Sequence, residues 1–257
     1  MSRTFCYWSA VEGEDAAIMS SAIRSARRVG VTEDFHVWSP DPVPGATHHL
    51  CGPLERWGGI FKFVFLCRAV QDLDYEAYVW IDADSWFVRH PGDVLKVMQG
   101  APMHASLETN FAEAKHAAAP LWGSRAEVML ELMRSGGVRS NALFTVDGGL
   151  FVVRRAAVDT VYELAREFWI FCRDRGQRLE HEPLLSFVMH LLCGNPYAHT
   201  LERTADLWAC DRHGCFRDGP PIGQPWKFQD CFGYEPQMVN PAILHLPRSK
   251  PAMMAWG

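Results

Sequence analysis

The sequence predicts a single α/β domain, with a strongly α/β first half built on parallel strands and a more irregular C-terminal region. Three observations carry this. The chain opens strand–helix–strand, the start of a parallel α/β unit. Ala77 to Ile81 is a continuous apolar run, as in a parallel strand buried on both faces. Between such runs, apolar residues fall at helical spacing.

Thr4 to Trp8 reads as the first strand, ending in the small pair Ser9-Ala10. From Asp15 to Val29, Ala17, Ile18, Ala22, Ile23 and Ala26 form a helical stripe, with three Arg towards its end and Gly30 closing it. Phe35 to Trp38 is a second strand, followed by a Pro-rich loop from Ser39 to Gly45. Phe61 to Leu73 is helical, with Phe63, Leu66, Val70 and Leu73 on one face and Lys62 and Arg68 as its cations. It leads into the Ala77 to Ile81 strand, which stops on Asp82-Ala83-Asp84. Phe87-Val88 resumes that strand, and Asp93 to Met98 is a short helix. Ala105 to Leu107 is a candidate strand, and Ser124 to Arg134 a helix. Leu143 to Val153 reads as two strand pieces around Gly148-Gly149. Ala156 to Asp174 and Glu182 to Cys193 are helices. Asp206 to Asn240, rich in Gly, Pro, Trp and Cys, lacks periodicity and is predicted irregular, with room for a hairpin. Ala242 to His245 is a last strand and Pro247 to Gly257 a tail.

At 257 residues, 48% hydrophobic and 21% charged, the chain has the make-up of an ordinary globular domain. A net charge of −5, with Lys and Arg scattered, argues against a nucleic-acid binder, which would carry a basic stripe. It leaves room for a small anion, because a few cations and backbone N–H groups hold a diphosphate. No run reaches the roughly 18 apolar residues of a membrane span. The first residues do not resemble a signal peptide, so the expectation is a cytoplasmic protein. Of the eight Cys, Cys6, Cys67, Cys172 and Cys193 lie in apolar segments and are expected as reduced, buried thiols. Cys210, His213, Cys215 and Cys231 are candidate zinc ligands at a loose spacing.

Asp82 and Asp84 stand at the carboxyl end of a buried strand, where open α/β sheets place ligands. Two carboxylates there repel one another unless a cation sits between them. Oxygen ligands of this kind suit Mn²⁺ or Mg²⁺, which keep positions open for diphosphate oxygens. The alternative is strand-end punctuation before a turn.

Tyr78-Val-Trp-Ile-Asp82-Ala-Asp84-Ser-Trp-Phe-Val88 resembles the Tyr-Leu-Asp-x-Asp-apolar segment of GT-A glycosyltransferases, above all the retaining glycogenin-like and bacterial galactosyltransferase group, family eight. Lys62 is placed like that group's donor-contacting cation. Val146-Asp147-Gly148-Gly149-Leu-Phe-Val152 resembles their Phe-Asn-Ala/Ser-Gly segment, with Asp147 in place of Asn. Glu182-Pro-Leu-Leu185-Ser186 is similar to their Asp-Gln-x-x-Leu-Asn segment, and closer to the Glu-x-x-Leu-Asn form of the blood-group-type transferases. Leu244-His245-Leu-Pro-Arg248-Ser-Lys250-Pro251 resembles the His-x-x-Gly-x-x-Lys-Pro signature, lacking its Gly and one residue shorter. The matches run from about residue 60 to residue 251 in the family's order.

The resemblance implies a single GT-A-like α/β domain over 1–257, a Rossmann-like mixed, mainly parallel sheet flanked by helices, with about 1–100 as the nucleotide-sugar half and about 101–257 as the more irregular acceptor-side half. It implies a hexose moved from a UDP-sugar, with Mn²⁺ or Mg²⁺ as cofactor and retention of configuration. The acceptor is a carbohydrate, peptide or small molecule. His245 would complete the metal site with Asp82 and Asp84, its alternative being a buried strand histidine. Lys250 or Arg248 would hold the diphosphate. Trp8 and Ala10 occupy the segment that cradles the nucleotide, and Gly148-Gly149 permit close ligand approach. Glu182 and Asp147 are the candidate catalytic carboxylates beside an oxocarbenium-like centre. Their alternatives are a helix's first turn and a turn residue. Trp208, Trp226, Phe228, Phe232 and Tyr234 are either a sugar platform or the core of the irregular region. Two further readings are a non-catalytic binder of nucleotide-sugar or glycan, and a nucleotidyltransferase. The acidic Ser9 to Glu14 segment argues against the latter.

Overall fold

The computed structural model describes residues 3–98, 100–110, 120–121, 124–139, 144–193, 207–210, 226–228, 237–239, 241–247 and 250–256. Six strands form the main sheet in the order β3-β2-β1-β4-β9-β6. These are β1 (Arg3–Ala10), β2 (Phe35–Ser39), β3 (Thr47–Leu50), β4 (Tyr75–Ile81), β6 (Met103–Asn110) and β9 (Phe144–Arg154). β1, β2, β3 and β4 are mutually parallel, and β9 alone is reversed, pairing antiparallel with both β4 and β6. The sheet is therefore mixed and mainly parallel, as the sequence predicts.

Alternation along β1 and β4 gives the sheet a core on each face. Cys6, Trp8, Tyr78, Trp80 and Phe151 join Phe63 and Leu66 of α2 (Phe61–Asp72), Val161 and Phe168 of α4 (Val158–Arg173), and Leu184 and Val188 of α5 (His181–Cys193). Phe5, Tyr7, Val79, Ile81 and Val152 face Ile18, Met19, Ala22 and Ile23 of α1 (Glu14–Arg28). Each fully buried Leu, Ile, Val, Met or Phe among them contributes about 1.5–3 kcal/mol. Both layers are needed because a strand apolar on both faces leaves neither one for water. Gly30 ends α1 at a φ of +87°, which a residue with a Cβ rarely adopts, while Glu14, Asp15, Arg27 and Arg28 complement the helix dipole.

A smaller sheet, β10-β13-β5, abuts the second core. It comprises β5 (Ser85–Phe87), β10 (Trp208–Cys210) and β13 (Ile243–His245). The remaining strands are short: β7 (Pro120–Leu121), β8 (Ser124–Arg125), β11 (Trp226–Phe228) and β12 (Gln237–Val239). β11 and β12 pair antiparallel, within the segment predicted irregular. α3 (Ala126–Ser135) lies close to its predicted span, and Val94–Met98 is 3-10 rather than α-helical.

Three local expectations are corrected. Residues 144–154 form one continuous strand, β9, but against β6 it pairs in two stretches: the step from Ala105 to Ser106 moves the partner from Phe151 to Asp147, so Gly148, Gly149 and Leu150 bulge out of that pairing. β3 was not expected, because Thr-His-His-Leu has no apolar face; it is a half-exposed edge strand. The supposed tail contains α6 (Lys250–Trp256), whose Met253 is buried. The Trp256 carbonyl of α6 accepts from Arg28 at 3.0 Å.

Candidate active site

Strand order positions the site. From β1 the chain moves outward to β2 and β3, then returns to lay β4 on the other side of β1. The crevice beyond the carboxyl ends of β1 and β4 is thus a topological switch point, where such sheets admit ligands. Ser9 Oγ donates to the Ile81 carbonyl at 2.9 Å and ties the two strand ends together.

Asp82 follows directly. Its N–H donates to Gly149 O at 2.9 Å, and Ser85 N–H donates back to Asp82 O at 3.1 Å, so the chain turns through Ala83-Asp84. Beyond the turn, β5 pairs antiparallel with β13 in a register that sets Ser85 opposite His245. Leu246 N–H donates to Asp84 O at 2.8 Å. This non-local pairing delivers the imidazole: His245 Nε2 lies 3.0 Å from Asp84 Oδ1 and 3.7 Å from Asp82 Oδ2.

The donor set fits one divalent ion. Neighbouring donors around an octahedral cation with ligands at about 2.1 Å stand about 3.0 Å apart, and two carboxylates with one imidazole suit Mn²⁺ or Mg²⁺. All three ligand atoms lie within 4.8 Å of one another.

Without a cation, protein charges hold the carboxylates. Burial pushes the Asp82 carboxyl up, but Lys62 and His245 outweigh it and leave it at about 2. Lys62 Nζ donates to Asp82 Oδ1 at 2.7 Å and to Gly148 O at 2.8 Å, and lies 4.6 Å above the Trp80 ring. Trp80 Nε1 donates to the same oxygen at 2.6 Å. Lys62 is only 1% exposed, so its ammonium faces Asp82 and not the open crevice. Burial would lower the His245 pKa, yet Asp147, Cys210 and Asp84 hold it well above the ordinary range, so the imidazole is cationic. Lys250, at the start of α6, reaches the rim: its Nζ is 3.1 Å from Asp15 Oδ1 and 3.6 Å from Asp84 Oδ2. Burial opposes that charge, and Asp84 and Asp15 raise its pKa.

On the other side of the crevice, Asp147 is buried. Its Oδ1 accepts from Gly149 N–H at 2.7 Å and lies 3.3 Å from His245 Nδ1. Burial raises its pKa and His245 more than reverses that, leaving it low. Asp147 therefore backs the imidazole, an arrangement that fixes ring orientation in carboxylate–histidine–metal triads. A Cβ on Gly149 would stand 2.7 Å from His245 Nδ1 and 2.9 Å from the Trp208 ring. One on Gly148 would stand 2.4 Å from the His181 ring.

Glu182, in the first turn of α5, accepts from Gly148 N–H at 3.4 Å. Burial, and then Asp147, push its carboxyl up to about 7. Beside it, burial and Lys62 push His181 down to about 3, so this ring is neutral. Its Nδ1 has no hydrogen-bond partner among the described residues.

Asp82, Asp84, His245, Asp147, Gly148, Gly149, Glu182 and Lys250 thus gather beyond the carboxyl ends of β1 and β4, with Lys62 buried behind Asp82. Ala10 closes β1 nearby. The Trp8 indole is elsewhere: it is 1% exposed and packs edge-on to Trp80 at 4.6 Å and to Trp38 at 6.5 Å. Only its backbone reaches the strand end. Arg248 lies outside the described residues, as do His213, Cys215, Cys231, Phe232 and Tyr234. Among the described residues, Cys6, Cys51, Cys67, Cys172, Cys193 and Cys210 are free thiols. Trp208 is buried and stacks on His245, with centroids 5.5 Å apart.

Three neighbours escaped the sequence reading. His181 precedes Glu182, and a His-Glu-Pro helix start was a signal for it. Asp15, which holds Lys250, was read only as the first residue of a helix. Cys210 was read as a zinc candidate with His213, Cys215 and Cys231, which lie outside the described residues; its contact with His245, through the β10–β13 register, was not foreseen.

The architecture is similar to that of the galactosyltransferase LgtC, solved in complex with donor and acceptor sugar analogues. The TM-score is 0.54 over 95% of this chain and 87% of that one, at 12% identity. No protein-family profile matches the chain, and no curated protein sequence does. Sheet order and this likeness define a GT-A-like α/β fold. Among the described residues, no helix is long and apolar enough to cross a membrane.

Proposed function

We propose that this protein is a metal-dependent glycosyltransferase that moves a hexose from a UDP-sugar to an acceptor with retention of configuration. One observation carries the reading: Asp82, Asp84 and His245 converge at the switch-point crevice with the spacing of a single divalent ion. A divalent ion there would neutralise charge developing on a leaving diphosphate. Lys250, on the rim beside Asp84, is positioned to add a cation for the same oxyanions. Lys62 and Trp80 fix the Asp82 carboxylate, so the site needs little reorganisation to receive a cation. Glu182, beside Gly148, is the carboxylate we assign to the oxocarbenium-like centre. Asp147 is the group we assign to orienting His245. UDP, hexose and retention rest on the resemblance of the four motifs. The acceptor would enter from the side supplied by residues beyond about 100.

The test is a panel of nucleotide-sugars screened for Mn²⁺-dependent thermal stabilisation, followed by hydrolysis of UDP-glucose and UDP-galactose. Expected are stabilisation by at least one UDP-sugar and turnover that vanishes in Asp84→Ala. No binding of any nucleotide-sugar with metal present would sink the reading. Stabilisation by UDP with no turnover on any sugar would favour a binding protein instead.

A further inference from the structure

The His245 imidazole has two faces of different chemistry. Nε2 points to two carboxylates, whereas Nδ1 meets a thiol and a carboxylate: Cys210 Sγ is 3.5 Å away and Asp147 Oδ1 is 3.3 Å away. All three residues are buried, and their ligand atoms lie within 4.8 Å of one another. Tetrahedral zinc binds sulfur at about 2.3 Å and nitrogen or oxygen at about 2.0–2.2 Å, which sets its ligands roughly 3.3–3.6 Å apart. The Cys210–His245 and Asp147–His245 separations both fall in that range. Backbone register fixes the trio: β10 pairs with β13 so that Cys210 stands opposite His245. Gly149, lacking a Cβ, lets the imidazole lie against β9 while Trp208 stacks on it.

We propose that Cys210, Asp147 and Nδ1 of His245 form a second cation site, selective for a thiophilic divalent ion such as Zn²⁺ or Cd²⁺. Thiolate ligation selects against Mn²⁺ and Mg²⁺, which prefer the oxygen-rich pair on the other face. Binding exchanges the Cys210 thiol proton and the Nδ1 proton for the metal, and both are released to solvent. The two sites share one imidazole, so a dication on Nδ1 repels a dication on Nε2. A thiophilic ion is thereby an antagonist of Mn²⁺ at Asp82 and Asp84. The inference does not depend on sugar transfer, since its test needs no nucleotide-sugar.

Titrating the purified chain with Co²⁺ or Cd²⁺ tests it. The expected result is one equivalent bound with a thiolate-to-metal charge-transfer absorption, lost in Cys210→Ser and weakened in Asp147→Asn. Bound Mn²⁺, followed by paramagnetic resonance, should be released by Cd²⁺ in the parent chain and retained in Cys210→Ser. Native near-ultraviolet circular dichroism of that variant establishes that it is folded. Absence of the absorption overturns the proposal, as does an absorption that persists in Cys210→Ser, which would assign it to another thiol.

Discussion

Lys62 Nζ lies 2.7 Å from Asp82 Oδ1, with the lysine side chain 2% exposed and the aspartate 24%. The cation is thus the buried partner, and it spans α2 and the turn after β4. Removing one member of a buried pair strands the other, at about 3–5 kcal/mol, and the partial exposure of Asp82 brings this to about 2–4 kcal/mol for Lys62→Met. Chemical denaturation would measure it. Because Mn²⁺ substitutes for the missing charge beside Asp82, added Mn²⁺ should restore more stability to Lys62→Met than it adds to the parent chain.

Asp84 is held differently. Its backbone carbonyl is fixed by Leu246, while its carboxylate meets His245 and Lys250. Asp84→Asn keeps the shape and the backbone bond but removes the charge a hard cation requires. Loss of an outer-shell partner weakens metal binding about 10–100-fold, so loss of Asp84, the direct ligand we propose, should exceed about 100-fold. Calorimetric titration with Mn²⁺ reads the effect. Unchanged affinity would remove Asp84 from the site.

Gly149 offers a steric test of His245. A methyl group there would stand 2.7 Å from Nδ1 and 2.9 Å from Trp208, both within a packed interior. Gly149→Ala should cost about 1–3 kcal/mol as the ring shifts. It should also weaken Mn²⁺ binding, although it touches no carboxylate. A variant as stable as the parent, with the same Mn²⁺ affinity, would mean that the imidazole is free to move.

How much of this was legible in the sequence follows from the range of the interactions. Ala77 to Ile81 announces a buried strand, and Asp82 and Asp84 at its end announce a candidate cation site, because burial on both faces and strand-end carboxylates are local patterns. His245 carried no such signal in its own neighbours. Its place depends on the antiparallel pairing of β13 with β5, and only the order of resembling motifs pointed to it. Asp147 was expected beside the sugar; its Oδ1 is turned to His245, because the Gly149 N–H and the imidazole compete for it. The seven-residue α6 was missed because so short a segment, with Pro251 in its first turn, shows too few turns for a periodicity. Packing of Met253 into the core, not local propensity, holds it.

Glu182 gives the protein a pH signature with two opposite signs. Its carboxyl is raised to about 7 in the folded chain by burial and by Asp147, against about 4.3 in an unfolded one. Below about pH 4 both states hold the proton. Between about 4.3 and 7 the folded state retains a proton that the unfolded state has released, so stability falls as pH rises and levels off above 7. Screening at this partly exposed position reduces the full linkage to about 1–3 kcal/mol across that window. The stabilising role assigned at the oxocarbenium-like centre requires the ionised form, so kcat/KM should climb through the same range in which stability declines. Glu182→Gln should flatten both profiles, lowering turnover while making the chain relatively more stable at pH 8 than at pH 5. Denaturation series at those two pH values, run with chelator to keep cations away, read the first effect, and nucleotide-sugar turnover reads the second. A stability slope that survives in Glu182→Gln would transfer the titration to another group. A rate profile that survives while the stability slope disappears would separate Glu182 from the reacting centre and leave it a structural carboxyl behind Gly148.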